Sequence, residues 1–127
     1  MKNQVTSVEW SKRLIELGVP AEKASMVYRA TNVAGIVRLE VNDGKGGIVA
    51  PAFTVADRLE MLPKTITDGR GATHQIHIGV CSSTNDCWCV YWGDDERQVG
   101  WQDRMSISDA IDDAIEWIFA TGRKLNL

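Results

Sequence analysis

Three stretches of the chain repeat apolar residues at the spacing of a helix that is buried along one face. Each stretch begins with a hydroxyl residue followed three positions later by a carboxylate, which is the pattern of a capping box. A glycine or a proline then marks the place where each helix is expected to end. On this basis the sequence predicts helices over 6–18, 54–63 and 106–122, opened by Thr6 with Glu9, Thr54 with Asp57 and Ser106 with Asp109.

Alternating apolar and polar residues predict a β-hairpin in the first half of the chain. Val37, Leu39 and Val41 alternate with charged residues, as in a strand with one buried and one exposed face. The glycine-rich stretch 42–47 follows them and is typical of a turn. The second strand of the predicted hairpin ends at Pro51, which cannot donate a backbone hydrogen bond.

The remaining segments complete an α+β pattern. Residues 74–80 and 86–93 are expected to form strands around the polar loop 81–86, and residues 98–105 a further strand. Segment 21–32 leaves two alternatives open, a helix at its start or a strand from its middle. The order of elements predicts an antiparallel sheet with helices packed on one face and the other face at least partly exposed. Because 127 residues is a usual length for one domain, the whole chain is expected to form a single α+β domain.

The composition narrows the classes of function. Hydrophobic residues make up 44% of the chain and charged residues 24%, as in ordinary globular proteins. No apolar run approaches the roughly 18 residues of a membrane span, and the N-terminus lacks the hydrophobic stretch of a secretory signal. The formal charge of −3 and the scattered basic residues argue against a dedicated DNA- or RNA-binding protein. We therefore expect a soluble cytoplasmic protein with no membrane partner, whose three cysteines remain thiols.

The cysteines raise the question of a metal site. Cys81, Cys87 and Cys89 lie close together in the sequence, with His77 shortly before them. Structural zinc sites usually use two short chelating pairs, whereas Cys87 and Cys89 are separated by a single residue. His74 and His77 are three positions apart, so their side chains point to opposite faces of a regular strand. We therefore predict no metal site and interpret the cysteines as small residues that pack within a sheet.

The other candidates for chemistry have ordinary structural explanations. A catalytic thiolate needs a neighbouring histidine or helix N-terminus, and a redox pair needs the Cys-x-x-Cys spacing; the sequence shows neither signature. The Gly-Lys-Gly-Gly stretch 44–47 lacks the length and the following helix of a phosphate-binding loop. The paired acids at 94–96 and 112–113 fit a turn and the polar side of a helix. We therefore predict no catalytic residues and no cofactor.

The aromatic residues are the side chains best suited to hold a ligand. Trp88 and Trp92 fall on one face of the predicted strand, and Cys87, Cys89 and Tyr91 fall on the other. Two arrangements are open. Either the cysteine face packs against helices and the tryptophans line the exposed face, or the tryptophans are buried and Tyr91 is displayed. Ordinary core packing is the alternative to ligand stacking for every one of these rings.

Basic residues accompany the next aromatic residue along the chain. Trp101 lies between Arg97 and Arg104. Flat rings flanked by arginines are able to stack on a base and to hold a phosphate. This combination points to a nucleotide as one class of ligand.

The order of the structural motifs resembles a group of small phage and prophage proteins. The motifs are SVEWSKRLIELGVP, APAFTVADRLEMLPKTI and the final SISDAIDDAIEWIFATGRKL. In that group an LxxLGV helix, a helix start similar to Ala-Pro-Thr that ends in Leu-Pro, and a C-terminal helix recur in this order. The resemblance covers the chain from about residue 7 to its end. The chain differs from the group by two extra residues between Pro51 and Thr54 and by Tyr28, where the group often has tryptophan.

The resemblance implies an accessory protein, located in the cytoplasm of an infected or lysogenic bacterial host, that binds something belonging to that host. One role is anti-defence by sequestering a small nucleotide of host immune signalling; the other is inhibition of a host protein through a sheet face or edge. We predict a non-enzymatic binding protein and favour sequestration. The contrasting classes are a protein with no ligand-binding role and, as the least expected, an enzyme.

The residues predicted to bind the ligand combine rings with cations. They are Tyr91 or Trp92 for stacking, and Arg97, Arg104 and Lys64 for phosphates. Small soluble proteins that self-associate most often form two-fold pairs, so the partners considered include a second copy in a homodimer or higher homo-oligomer.

Overall fold

The computed structural model describes residues 5–80, 86–93, 98–104 and 106–127. Within these residues the chain forms three α-helices, one short 3₁₀ helix and seven strands. In chain order they are α1 (Val8–Glu16), the 3₁₀ helix (Ala21–Lys23), β1 (Met26–Ala30), β2 (Val37–Val41), β3 (Ile48–Ala52), α2 (Val55–Met61), β4 (Thr65–Thr67), β5 (Thr73–Val80), β6 (Cys87–Gly93), β7 (Gln98–Arg104) and α3 (Ile107–Ala120). No helix in these ranges is both long enough and apolar enough to span a membrane.

The strands are divided between two antiparallel sheets. The first sheet has the order β2-β1-β3, and the second has the order β4-β5-β6-β7. The chain also divides into two compact units, one extending to Arg58 and including Leu127, the other comprising Leu59–Asn126. Each unit contains one sheet. The predicted α+β class with antiparallel strands is confirmed. The strands that were expected to form one sheet belong to two sheets. It stays a prediction that residues 1–127 act as a single domain.

The predicted hairpin over 37–51 is wrong because β1 lies between its two strands. β1 pairs with β2 on one side and with β3 on the other, so the segment that the sequence left open is a strand from Met26 onward. The loop 42–47 therefore spans two strand spacings, about 10 Å, which six residues reach easily. Arg29 of β1 fixes this loop, since its guanidinium donates to the Asp43 carboxylate and to the carbonyl oxygen of Gly46.

The first helix begins one residue later than the capping box predicts. Ser7 is the N-cap of α1, and its Oγ accepts from the backbone N–H of Trp10 at 3.1 Å. Thr6 is buried instead, and its Oγ1 accepts from the N–H of Phe53 at 2.9 Å and lies 2.5 Å from the Oγ of Ser11. The predicted pairing of Thr6 with Glu9 is therefore wrong, because Thr6 connects the chain before α1 to the residue after β3.

The other two predicted helix starts are confirmed. Thr54 and Asp57 form a reciprocal capping box, with Thr54 N–H donating to the Asp57 carboxylate at 2.9 Å and Asp57 N–H donating to Thr54 Oγ1 at 3.1 Å. Asp57 also accepts from the N–H and the hydroxyl of Ser25, at 2.8 and 2.5 Å. Burial raises the pKa of Asp57, but these hydrogen bonds outweigh it and the net pKa is lowered. Ser106 caps α3 by accepting from the N–H of Asp109 at 3.1 Å.

The core of the second unit lies between α3 and the second sheet. α3 packs against β6 and β7, and its apolar stripe is buried as the sequence predicts. The fully buried members of this stripe include Ile111, Ile115 and Ile118. This packing places a helix on one face of the sheet, as expected for the α+β class.

A short strand that the sequence analysis missed precedes β5. β4 and β5 are joined by a turn in which the Asp68 carboxylate accepts from the N–H groups of Arg70 and Ala72, at 2.8 and 3.0 Å. Its other oxygen lies 2.8 Å from Nε2 of the fully buried His74. The hydrogen bond from His74, together with those from the turn, lowers the pKa of Asp68 to about 2. The Asp68 carboxylate thus satisfies two backbone N–H groups of the turn between β4 and β5.

We expect acid to remove the contribution of Asp68 to stability. Its pKa is lower in the folded chain than in the unfolded chain, so the contribution is complete above about pH 5 and disappears as the pH falls towards 2. Urea unfolding of Asp68→Asn and of the unchanged protein at several pH values measures this. The difference in free energy of unfolding between the two proteins is expected to shrink across that range. Thr73→Ser, an uncharged change in the same hairpin, is the control with an effect independent of pH, and a constant difference for Asp68→Asn would contradict the assignment.

Asp57→Ala is expected to destabilise the protein more than Ser106→Ala. The first change removes the acceptor of three hydrogen bonds and costs about 2 kcal/mol, whereas the second removes a single capping bond and costs about 1 kcal/mol. Urea unfolding at neutral pH measures both free energies. Equal effects would mean that the bonds from Ser25 add nothing to the cap.

Candidate functional site

Strand β6 places its aromatic residues on two different faces of the second sheet. Tyr91 and Cys89 are fully buried on the face that α3 covers, whereas Trp92 is 40% exposed on the opposite face. Of the two arrangements that the sequence left open, the structure has the first. The cysteine face packs against a helix, and the exposed face carries Trp92.

Both the ring and the hydroxyl of Tyr91 have partners in the core. Its ring stacks on Trp117 of α3 with 6.1 Å between the ring centroids, and its hydroxyl donates to the carbonyl oxygen of Pro63 at 2.7 Å. Burial is the main cause that raises the pKa of this hydroxyl. Gly100 of β7 faces the same indole, and a Cβ at Gly100 would lie 2.9 Å from the Trp117 ring. A ligand could stack on Tyr91 only after Trp117 had moved away.

The thiols and imidazoles of β5 and β6 differ in their burial. Burial raises the pKa of the Cys89 thiol to about 11, so this thiol is protonated at neutral pH. Cys87 is half-buried, and Cys81 lies outside the described residues. His74 is buried and His77 is exposed, on opposite faces of β5. Within the ranges given above, no three histidine, cysteine or acidic side chains are grouped closely enough to hold a metal ion.

The exposed face of the second sheet carries a row of side chains around Trp92. Trp92 lies opposite Gln75 of β5, and Gln75 lies opposite Thr65 of β4. Paired residues of an antiparallel sheet share a face, so the three side chains line one surface. His77 meets the Trp92 ring edge to face, with 6.3 Å between the centroids and 66° between the planes. We call Thr65, Gln75, His77 and Trp92 the aromatic face.

The second tryptophan of β6 closes one end of this surface. A Cβ added to Gly79 would lie 2.5 Å from the Trp88 ring, so the glycine allows the indole to lie against the backbone of β5. Val90, between the two tryptophans along β6, is fully buried. Trp88 is only partly exposed, which leaves Trp92 as the more accessible ring for a planar ligand.

A cleft of about 360 Å³ opens beside β4, and we call it the cationic cleft. The residues that line it are Pro63, Thr65, Ile66, Thr67, Gly122, Arg123 and Lys124. The guanidinium of Arg123 lies 4.9 Å above the ring of Trp117 and donates to the carbonyl oxygen of Thr67 at 3.3 Å. Lys124 is exposed. Two cations beside threonine hydroxyls form a surface that suits phosphate oxygens.

One predicted phosphate-binding residue lies beside this cleft. The carbonyl oxygen of Lys64 accepts from the N–H of Ile76 at 3.0 Å, which fixes its backbone at the start of β4, and its side chain is exposed. Thr65, the next residue, belongs to both the aromatic face and the cleft. Two strand spacings, about 10 Å, separate the backbone at Thr65 from that at Trp92. The structure therefore brings the backbone of Lys64 to the same part of the sheet as Trp92, while the pairing of Lys64 with Ile76 turns its side chain to the face of Tyr91.

Arg104, another of the predicted cations, does not join this group. Arg104 lies opposite Cys87, at the other end of β6 from Trp92, and its Nε is 2.6 Å from the carboxylate of Asp113. Arg97, like the acids at 94–96, lies outside the described residues. Arg104 is thus placed for an ion pair with α3 rather than beside Trp92.

Sequence reasoning missed most of the residues that surround Trp92 and the cleft, among them Gln75, His77, Arg123 and Lys124. Gln75 and His77 alternate along β5, and this period of two was the available signal for their common face. Arg123 and Lys124 directly follow the glycine that ends α3, but nothing in the local sequence relates this basic pair to β4. Contacts between the two ends of the second unit create the cleft.

Comparisons with models of protein families, with curated proteins and with solved structures find no match to this chain.

Proposed function

We propose that this protein binds a small nucleotide without converting it, with the base stacked on Trp92 and the phosphates at the cationic cleft. The observation that carries the proposal is a partly exposed indole on an open sheet face, whose backbone lies about two strand spacings from that of Thr65, a residue that also lines the cationic cleft. That separation suits a ligand with a planar ring at one end and negative charge at the other.

Each part of the aromatic face has a use in such a complex. Stacking of a base on an aromatic side chain is worth about 1–3 kcal/mol. His77 meets the Trp92 ring edge to face, and this contact reduces the side-chain entropy that the indole loses on binding. Gln75 and Thr65 lie between Trp92 and the cleft and offer hydrogen-bonding groups to the base edge or the sugar.

The cleft supplies charge at a fixed place. The contacts of Arg123 with Trp117 and with Thr67 hold its guanidinium beside β4 before any ligand arrives. Lys64 and Lys124 are exposed and able to approach phosphate oxygens from solution. Cations that are already in position bind an anion with a smaller entropic cost than cations that must first be ordered.

The biological setting of the proposal comes from the sequence resemblance to small phage and prophage proteins. Under it, the ligand is a signalling nucleotide of host immunity, and holding it intact is sufficient to silence the signal. The competing role, inhibition of a host protein, would use the same exposed sheet face with a protein partner instead.

Incubation with a panel of cyclic and linear signalling nucleotides tests the proposal. The protein is separated from free ligand and denatured, and the released compound is identified by mass spectrometry. Release of an intact nucleotide supports sequestration. A chemically altered product would overturn the non-enzymatic part of the proposal, and no uptake of any nucleotide would overturn it altogether and favour a protein target.

Trp92→Ala is expected to weaken binding of the retained nucleotide roughly 5- to 150-fold, because the stacking energy is lost. Trp92→Phe keeps an aromatic ring and is expected to retain most of the affinity. Val33→Ala, a change at an exposed apolar residue of the other unit, is the matched control. Isothermal titration calorimetry measures the affinities, and equal binding by Trp92→Ala and the unchanged protein would contradict the stacking role.

The double change Lys64→Ala with Lys124→Ala is expected to weaken binding and to make the remaining affinity less dependent on salt, since exposed charges are screened. Lys12→Ala with Lys23→Ala removes the same charge from the first unit and serves as the control. Titrations at low and at high salt measure both effects. An identical salt dependence for the two double variants would exclude the cleft as the phosphate site.

A further inference from the structure

Strand β2 exposes an apolar face at the edge of the first sheet. Val37, Leu39 and Val41 point to one face of the sheet, where the sequence predicts burial. Val37 is nevertheless 41% exposed and Val41 is 70% exposed, while Leu39 is half-buried. β2 is the outermost strand of the order β2-β1-β3, so one of its sides pairs with no strand of the described chain.

The pairing of β2 with β1 shows which backbone groups point away from the sheet. The N–H of Asn42 donates to the carbonyl oxygen of Ser25, and the carbonyl oxygen of Ile36 accepts from the N–H of Thr31. Hydrogen-bonding direction alternates along an antiparallel strand. Residues 38 and 40 therefore face β1, and the backbone groups of Val37, Leu39 and Val41 point outward from the edge.

The sequence of β2 is complementary to itself when read in the opposite direction. It reads Val-Arg-Leu-Glu-Val, with Leu39 at its centre. When two such strands pair antiparallel about a two-fold axis at Leu39, Arg38 of each copy lies opposite Glu40 of the other, and Val37 lies opposite Val41. Opposite charges on directly paired residues stabilise a sheet.

We propose that this edge binds a second copy of the chain, so that two β2 strands join two three-stranded sheets into one. The pairs at Val37, Leu39 and Val41 use the outward-pointing backbone groups, and each such pair exchanges two hydrogen bonds. The apolar side chains of both copies meet on one face of the joined sheet. The charged pairs form on the other face, where Glu40 already receives the Arg29 guanidinium at 2.8 Å.

The charges specify this register against its neighbours. Only shifts by two residues keep the outward-pointing groups of both copies in contact. A shift in one direction places Arg38 opposite Arg38, and a shift in the other places Glu40 opposite Glu40. Both are repulsive, so the register centred on Leu39 is the favoured one. The isologous contact is closed by its two-fold symmetry, which prevents growth into a fibre through this edge.

Charge reversal tests the register. Sedimentation velocity of the full chain at increasing concentration is expected to show a monomer–dimer equilibrium. Arg38→Glu alone or Glu40→Arg alone brings like charges together in both symmetric pairs and is expected to weaken the dimer at least tenfold. A mixture of the two variants pairs opposite charges again and is expected to form a heterodimer. Circular dichroism shows whether each variant keeps its fold, because Glu40→Arg also removes one of the two acidic partners of Arg29 and the in-chain partner of Arg38.

A cysteine at the symmetry centre gives a measurement that does not depend on the charges. Hydrogen-bonded residues in an antiparallel pair have Cα atoms about 5.5 Å apart, within the range of a disulfide. Leu39→Cys is therefore expected to yield a covalent dimer on mild oxidation. Val33→Cys, at an exposed site outside β2, and the unchanged protein with its own cysteines are the controls.

The outcomes separate the alternatives. A dimer that is weakened by the single reversals, is restored in the mixture and is cross-linked at Leu39 supports the proposal. A protein that is monomeric at all concentrations would overturn it and would mean that the two charges only protect the edge from aggregation. A dimer that ignores the reversals and the cysteine would also overturn it, because the contact would lie elsewhere.

Discussion

The packing of Tyr91 against Trp117 decides which face of the second sheet is available to a ligand. The two rings stack because Gly100 presents no side chain to the indole, and the Tyr91 hydroxyl is satisfied by the carbonyl oxygen of Pro63. Side chains alternate along a strand, so burying Tyr91 under α3 turns Trp92 to the other face. A buried tyrosine thus fixes the position of an exposed tryptophan.

The same helix also positions one of the cations that line the cleft. Arg123 follows the end of α3, and its guanidinium lies 4.9 Å from the centre of the Trp117 ring. From there it reaches the carbonyl oxygen of Thr67 on β4. The indole of Trp117 therefore contacts both Tyr91 in the core and Arg123 at the cleft. Burial raises the pKa of the Cys89 thiol, two residues before Tyr91 on β6, to about 11.

The two units offer surfaces of different chemistry. The exposed face of the second sheet carries an indole, an imidazole and polar side chains, which suits a planar polar ligand. The first sheet instead displays aliphatic side chains at an edge strand, and such a surface suits another polypeptide. Under both proposals, a dimer carries two ligand sites, one in each chain. Variants of the second unit then test ligand binding, and variants of β2 test self-association.

The sequence by itself determined the features that depend on neighbouring residues. Its capping residues located the starts of α2 and α3, its alternation located β5, β6 and β7, and the parity along β6 reduced the aromatic site to two arrangements. Only the tertiary structure decided between those arrangements. It also showed that β1 lies between β2 and β3 and that Thr6 contacts Phe53 instead of capping a helix. The contact of Arg123 with Thr67 of β4 likewise appears only in the tertiary structure. Caps and periodicity are local properties, whereas the covered face and the neighbour of a strand are set by contacts between residues far apart in the chain.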